Sequence, residues 1–180
     1  MSTSNTPVLA HAHIASGREP LRIRMAQDPG RSCLDGGWWP QSRDLTVELA
    51  DLVDHFPSRL GRIVRAGISP PDWDPAPRRI PVRGGYVKAG SFPRDDTHVI
   101  VLTMSDRTTL SVLVVPPSFT RSQGEEALLA SATAKNAYSA TDLLVEVTDQ
   151  PDTSSLQHWK DDGGSWWAPH QRAPSFRVDT

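Results

Sequence analysis

Residues 35–45 of this chain read Asp-Gly-Gly-Trp-Trp-Pro-Gln-Ser-Arg-Asp-Leu, and the predicted fold is organised around them. The glycine pair predicts a tight turn, because glycine adopts backbone angles that are closed to residues with a Cβ. Pro40 disfavours helical geometry at Trp39, so both indoles are expected in extended chain. Ser42 or Asp44 can then cap a helix, because side-chain oxygens at that position accept the first free backbone N–H groups.

The two adjacent indoles are expected to diverge. Successive side chains of an extended segment point to opposite faces, so Trp38 and Trp39 cannot both enter one core. One is predicted to pack in the core, and the other to lie over the start of the helix or to line a surface cleft. A packing role is favoured over ligand binding, because a buried aromatic side chain contributes packing wherever it sits. Both indole N–H groups will need acceptors.

The segment after this stretch is predicted to be an amphipathic helix over residues 45–56. Its apolar residues recur with helical spacing on one face. They are Leu45, Leu49, Leu52, Val53 and Phe56. The opposite face carries Glu48, Asp51, Asp54 and His55, and it is expected to be solvated, as acidic residues on such a face usually are. A metal site formed by Glu48, Asp51 and His55 is the alternative.

Short β-prone runs fill most of the remaining domain. They cover residues 21–25, 62–68, 79–82, 86–92, 98–104 and 108–115. Gly84 with Gly85, and residues 105–107, predict two hairpins between neighbouring runs. Pro81 indicates that its strand lies at a sheet edge, since proline cannot donate a ladder hydrogen bond. Capping-box patterns at residues 122–125 and 139–142 predict two helices near the end of the domain.

These elements predict an α+β fold. Its mainly antiparallel sheet has about five or six strands, because the connections are too short for crossover helices. The first helix is expected to pack on the sheet, and the last two helices are expected on one side of it. A curled or barrel-like sheet is an alternative to a flat one. Three segments are expected: a flexible arm over 1–20, a single α+β domain over 21–148, and a largely disordered acidic tail over 149–180. The tail contains Trp159, Trp166 and Trp167.

The composition and the absence of known motifs exclude several kinds of functional site. The chain has one cysteine, Cys33, which excludes an internal disulfide and a multi-cysteine metal site; an inert, partly buried thiol is expected. No apolar run has signal-peptide character or could span a bilayer, so a cytoplasmic protein without membrane contact is predicted. No glycine-rich phosphate loop, paired-histidine zinc helix or nucleophile elbow is present, so no cofactor, metal or catalytic residue is assigned. The formal net charge is −2.

Three motifs, in this order, carry a family resemblance. They are Leu-Asp-Gly-Gly-Trp-Trp-Pro-Gln-Ser-Arg-Asp-Leu at 34–45, Trp-Asp-Pro-Ala-Pro-Arg-Arg at 73–79 and Leu-Val-Val-Pro-Pro at 113–117. With them, residues 20–145 resemble a family of uncharacterised actinomycete proteins, a domain of unknown function. The resemblance implies a bacterial, cytoplasmic origin and carries over no site residues.

The candidate binding residues come from the motifs themselves. They are Trp38, Trp39, Arg43, Asp72, Trp73, Asp74, Arg78 and Arg79. The favoured hypothesis is a non-enzymatic binding or adaptor module that uses a surface of tryptophan and arginine, with exposed side chains as interface anchors. A single-stranded nucleic-acid-binding domain is one alternative, since arginines on strands beside aromatic rings are typical of such proteins. A small hydrolase with aspartates in a tryptophan-lined cleft is the other. A protein or a single-stranded nucleic acid is therefore the partner considered.

Overall fold

The computed structural model describes residues 18–30, 32–69, 73–91, 97–133 and 138–149. The strands are β1 (Ile23–Met25), β2 (Gly36–Trp38), β3 (Ile63–Ile68), β4 (Arg79–Val82), β5 (Gly85–Ser91), β6 (Val99–Met104) and β7 (Thr109–Val114). The helices are α1 (Leu45–Asp54), α2 (Arg121–Ser131) and α3 (Ala140–Asp149), with a 3-10 turn over Ser58–Leu60. The predicted α+β class is confirmed for this part of the chain.

The strands form one open sheet in the order β1-β2-β7-β6-β3-β5-β4. Four of the pairings are antiparallel, while β2 with β7 and β3 with β5 are parallel. The prediction of five or six mainly antiparallel strands is therefore corrected to seven strands in a mixed sheet. The sheet is not closed into a barrel, because β1 and β4 remain at its edges. Pro81 lies in the edge strand β4, as predicted.

The glycine pair at 36 and 37 lies in strand β2, and the prediction of a tight turn there was wrong. A Cβ on Gly36 would collide with the carbonyl oxygen of Arg24 in the neighbouring strand. A Cβ on Gly37 would collide with the hydroxyl of Ser131 in helix α2. The glycines are thus required for close approach of β1 on one side and of α2 on the other.

The sheet has a hydrophobic core on each face. Helix α1 packs on one face with Trp38, Ile100 and Leu102, whereas α2 and α3 pack on the other with Trp39. The prediction that the two indoles diverge is confirmed, but both are buried, at 0% and 5% exposure. The second core explains this, because the helices at the end of the domain cover the face that receives Trp39.

Both predicted hairpins are present, but the β4–β5 turn is formed by Arg83 and Gly84 instead of the predicted Gly84 and Gly85. Val82 pairs with Gly85 across the β4–β5 hairpin, where Gly84 has a φ of 75°. In the β6–β7 hairpin the Asp106 carboxylate accepts a hydrogen bond from the Thr108 N–H at 2.8 Å. That bond holds the pKa of Asp106 below its usual value.

The helix caps refine the predicted starts. The capping box of α2 is formed by Thr120 and Gln123, two residues before the predicted one, and α2 begins at Arg121. At α3 the Ser139 hydroxyl accepts from the Asp142 N–H at 3.1 Å, as predicted.

Cys33 is exposed, contrary to the expected partly buried thiol. Within the described ranges, none of the helices has both the length and the apolar character needed to cross a bilayer.

Replacing Gly124 with alanine is expected to destabilise the domain by about 1–3 kcal/mol, the usual cost of overpacking a core. Gly124 lies inside α2, where glycine-to-alanine changes normally favour the helix. Here a Cβ would fall well inside van der Waals distance of the Trp39 ring. Thermal unfolding measures the difference, with Leu129→Ala on the exposed side of α2 as the control. A melting temperature at or above that of the parent protein would contradict this packing.

Candidate functional site

A cleft of about 240 Å³ opens at the end of the sheet where β2, β7 and β3 finish and β6 begins. All three motifs contribute to it, and so does the residue before β6. Its lining residues are Pro40, Ser42, Arg43, Trp73, His98, Val114, Pro116, Pro117 and Ser118. Strand ends that meet at one edge of a sheet are a common position for ligand sites, because their loops converge there.

Backbone hydrogen bonds hold the contributing segments against one another. The Asp74 N–H donates to the carbonyl oxygen of Arg43 at 3.0 Å, which joins the first motif to the second. The Val114 N–H donates to the carbonyl oxygen of His98 at 2.8 Å, and the Val115 N–H donates to that of Trp38 at 2.9 Å. The walls of the cleft are therefore fixed by the sheet and its immediate extensions.

The apolar wall rests on a pair of stacked indoles. Trp73 is 9% exposed and lies on Trp38, with ring centroids 5.4 Å apart and planes 18° from parallel. Such offset stacking adds to the packing of two aromatic side chains. The Trp38 indole N–H is buried and finds no acceptor among the described residues. The Trp39 indole N–H donates to the carbonyl oxygen of Pro116 at 3.1 Å.

A buried carboxylate supports the loop that carries Ser42 and Arg43. Glu48 is 2% exposed, and its oxygens accept from the Ser42 hydroxyl at 2.7 Å and the Gln41 N–H at 3.0 Å. The Arg18 guanidinium, from the segment predicted to be a flexible arm, forms an ion pair with Glu48 at 2.7 Å. The expectation that Glu48 is solvated was therefore wrong, because a partner from before β1 covers it.

The other acidic positions of α1 have ordinary structural roles. Asp44 caps the helix, and its carboxylate accepts from the N–H groups of Thr46 and Val47 at 2.9 and 3.3 Å. Asp51 pairs with the half-exposed ring of His55 at 2.9 Å. Among the residues that the structure describes, no three His, Cys, Asp or Glu side chains are grouped so as to hold a metal ion.

Asp35 also has a structural role. Its carboxylate is buried and accepts from the backbone N–H of Gly30, and from that of Ser111 at 2.7 Å. These bonds tie the β1–β2 loop to β7, since the Asp35 N–H also donates to the Ser111 carbonyl oxygen at 2.7 Å. The Asp35 carboxylate is therefore used in bonds within the domain, and it does not line the cleft.

A model of the family of unknown function DUF5994 matches residues 22–131. The chain belongs to this family. Neither the curated proteins nor the solved structures contain a significant match to it. Actinomycete origin and a cytoplasmic location stay predictions, as do the boundaries of the arm and the tail.

The DUF5994 domain brings some of the predicted site residues together and separates others. Arg43 and Trp73 line the cleft, with Trp38 stacked behind Trp73. Trp39 lies on the opposite face of the sheet, and the exposed Asp74 follows Trp73 without lining the cleft. Two further candidates lie at the start of β4, and one lies outside the described residues. These are Arg78 and Arg79 in the first case and Asp72 in the second.

Arg22 covers Trp39 in the DUF5994 domain. Its guanidinium carbon lies 3.7 Å from the centroid of the Trp39 ring, and its N–H groups donate to the carbonyl oxygens of Trp39 and Pro40. Partial burial lowers the pKa of Arg22, although neighbouring Glu19 and Glu48 favour its charge. Arg22 therefore fixes the start of the loop between β2 and α1 through these hydrogen bonds.

Sequence reasoning missed several lining residues of the cleft. His98 and Ser118 stand outside the motifs and have no periodic or spacing signal of their own. Ser42 was considered only as a helix cap, whereas its hydroxyl lies between the cleft and Glu48. The proline pair at 116 and 117 could be recognised from the sequence, because prolines end a strand. It follows β7 and lines the cleft.

Proposed function

We propose that the DUF5994 domain is a binding module whose cleft takes a small anionic ligand with a flat apolar part. The observation that carries this proposal is the convergence of Arg43 and Trp73, which are distant in sequence, on one cleft. Arginine recognises carboxylate and phosphate groups through its planar fork of donors. An indole beside it offers an apolar surface against which a ring or chain can pack.

The size and lining of the cleft define the class of ligand. A volume of about 240 Å³ suits a ligand smaller than most drug-sized molecules. Prolines, Val114 and Trp73 supply apolar contacts, while His98 and Ser118 add polar groups to the same lining as Arg43. An aromatic or short aliphatic carboxylate fits this combination of one cation, several polar groups and an apolar wall.

The other functions inferred from the sequence receive less support from the cleft. Trp38, Trp39 and Trp73 are all buried, so none of these indoles is an exposed anchor of the kind an adaptor surface uses. A hydrolase needs paired carboxylates, but no carboxylate is found among the described lining residues. Asp72, directly before Trp73, lies outside the described residues, so its use in catalysis stays a prediction.

Benzoate is expected to bind the full chain and to change its tryptophan fluorescence, whereas neutral benzamide binds at least tenfold more weakly. Arg43→Ala should weaken benzoate binding by about tenfold to a hundredfold, which corresponds to the loss of one charge-assisted hydrogen-bonding group. Titration calorimetry measures both affinities. Arg78→Ala is the matched control, because Arg78 is exposed and does not line the cleft.

Two outcomes would overturn the proposal. One is equal binding of benzoate and benzamide, since Arg43 would then have no role in recognition. The other is an equal loss of affinity in Arg43→Ala and Arg78→Ala, which would indicate general attraction of anions to the surface. Thermal melts of each variant separate loss of binding from loss of the fold.

A further inference from the structure

The half of the sheet formed by β3, β5 and β4 has one covered and one open face. Helix α1 and its core cover the first face, where Ala66, Ile80 and Val87 are buried. On the second face α2 packs against β1, β2 and β7, which form the other half of the sheet. Exposed side chains flank the buried Ile80 in β4 and Val87 in β5, and in β3 the exposed Arg65 lies next to the buried Ala66. We call Arg65, Arg79, Tyr86 and Lys88 on this second side the basic face.

Strand register places three cations of the basic face side by side. Arg65 pairs with Lys88 across β3 and β5, and Lys88 pairs with Arg79 across β5 and β4. Neighbouring strands are about 4.8 Å apart, so the three side chains leave the sheet as one row. Like charges placed directly opposite one another destabilise a sheet. A row of cations on neighbouring strands is also an arrangement that a chain of phosphates can contact.

The basic face also carries an accessible aromatic ring. Tyr86 is 49% exposed, and the guanidinium carbon of Arg79 lies 4.8 Å from the centroid of its ring. Tyr86 is two residues before Lys88 in β5, so both side chains point to the same side. A ring next to a row of cations matches the arrangement by which single strands are bound, with bases stacked and phosphates paired.

Further positive charge surrounds the hairpin end of the same half-sheet. Arg62, Arg83 and Arg107 are exposed there, in the turns that adjoin β3, β4 and β6. The Arg62 guanidinium donates to the carbonyl oxygens of Arg83 and Gly84 at 3.2 and 3.1 Å. The net charge of −2 therefore conceals a region where cations are concentrated.

Carboxylates at this hairpin end are already bonded to the backbone. Asp54 accepts from the Arg83 N–H at 2.7 Å, and Asp106 accepts from the Thr108 N–H. These two carboxylates stabilise turns, and they offset part of the positive potential of the exposed guanidinium groups.

We propose that the basic face binds single-stranded nucleic acid. The row of Arg65, Lys88 and Arg79 contacts successive phosphates, and Tyr86 stacks on one base. Single strands fit better than a duplex, because Tyr86 can stack only on a base that is unpaired and free to leave its neighbours. The basic face is distinct from the cleft, whose lining contains none of these residues.

Fluorescence anisotropy with a labelled mixed-sequence single-stranded DNA of about 15 nucleotides tests the proposal on the full chain. Lys88→Glu is expected to weaken binding at least tenfold in 50 mM salt, since it reverses the central charge of the row. The plot of log affinity against log salt concentration should have a slope of about −2 for three phosphate contacts, and a shallower slope in Lys88→Glu. Arg121→Glu is the control, because Arg121 is exposed on α2, outside the basic face.

A second variant separates nucleic acid from other polyanions. Tyr86→Ala should reduce DNA affinity by about fivefold to a hundredfold, the effect of one lost base stack, and leave binding of inorganic polyphosphate unchanged. Equal losses for DNA and polyphosphate would show a general polyanion surface and overturn the nucleic-acid proposal. So would absence of DNA binding at 50 mM salt, or equal effects of Lys88→Glu and Arg121→Glu, in variants that melt like the parent protein.

Discussion

Trp38→Ala is expected to lower the free energy of unfolding by about 3–5 kcal/mol, the usual cost of removing a buried large aromatic side chain. Trp38 is fully buried between the sheet and α1, and it supports the ring of Trp73 at the cleft. The substitution should therefore also abolish benzoate binding, because the apolar wall loses its support. Chemical denaturation followed by circular dichroism measures the stability.

Trp38→Phe is the matched variant for this experiment. A phenyl ring keeps an aromatic surface behind Trp73 and removes an indole N–H that has no acceptor among the described residues. The loss of stability should be clearly smaller than in Trp38→Ala. If Trp38→Ala costs less than about 1 kcal/mol, the change is an average substitution and the described core is incorrect.

The second large effect on stability is expected from substitutions in helix α1, both on its apolar side and at the buried Glu48. Leu49→Ala should destabilise the domain by about 2–5 kcal/mol, as buried leucines do. Glu48→Ala should cost about 2–4 kcal/mol, because the Arg18 guanidinium and the donors of the Ser42 loop lose their shared acceptor. Asp51→Ala should stay within about 0.5 kcal/mol, since only its pair with half-exposed His55 is lost.

Urea denaturation of these three variants distinguishes the described helix from a simple amphipathic one. A simple amphipathic helix would place Glu48 and Asp51 together in solvent, with equally small effects. Similar values for Glu48→Ala and Asp51→Ala would therefore contradict the burial of Glu48. Ser42→Ala, which removes one donor to that carboxylate, should lie between the two.

Local sequence patterns predicted those strands and helices that have a recognisable residue pattern of their own. Alternation identified β1, short β-prone runs between turn signals identified the strands from β3 to β7, and helical spacing identified α1. Strand β2 was missed because two of its three residues are glycines, which have low strand propensity. Its partners are distant: Asp35, just before β2, bonds to Ser111, which is 76 residues away in sequence. Only the packed structure shows why glycine is required there.

The candidate site was predicted in part for a related reason. Arg43 and Trp73 belong to compositionally unusual runs, so they could be recognised without knowing their neighbours. His98 has no such context, and it reaches the cleft only because β6 begins beside the end of β7. The burial of Glu48 depends on Arg18, 30 residues earlier, which no periodicity of the helix can report.

The parallel pairing of β2 with β7 also has a consequence for the order of folding. The β4–β5 and β6–β7 hairpins close over a few residues, and isolated hairpins form within about 1–10 μs. Docking of β2 must instead close a loop that spans most of the domain, and contacts of high sequence separation form slowly. The cleft needs that docking, so we expect ligand-binding competence to appear late in refolding, after most of the sheet has assembled.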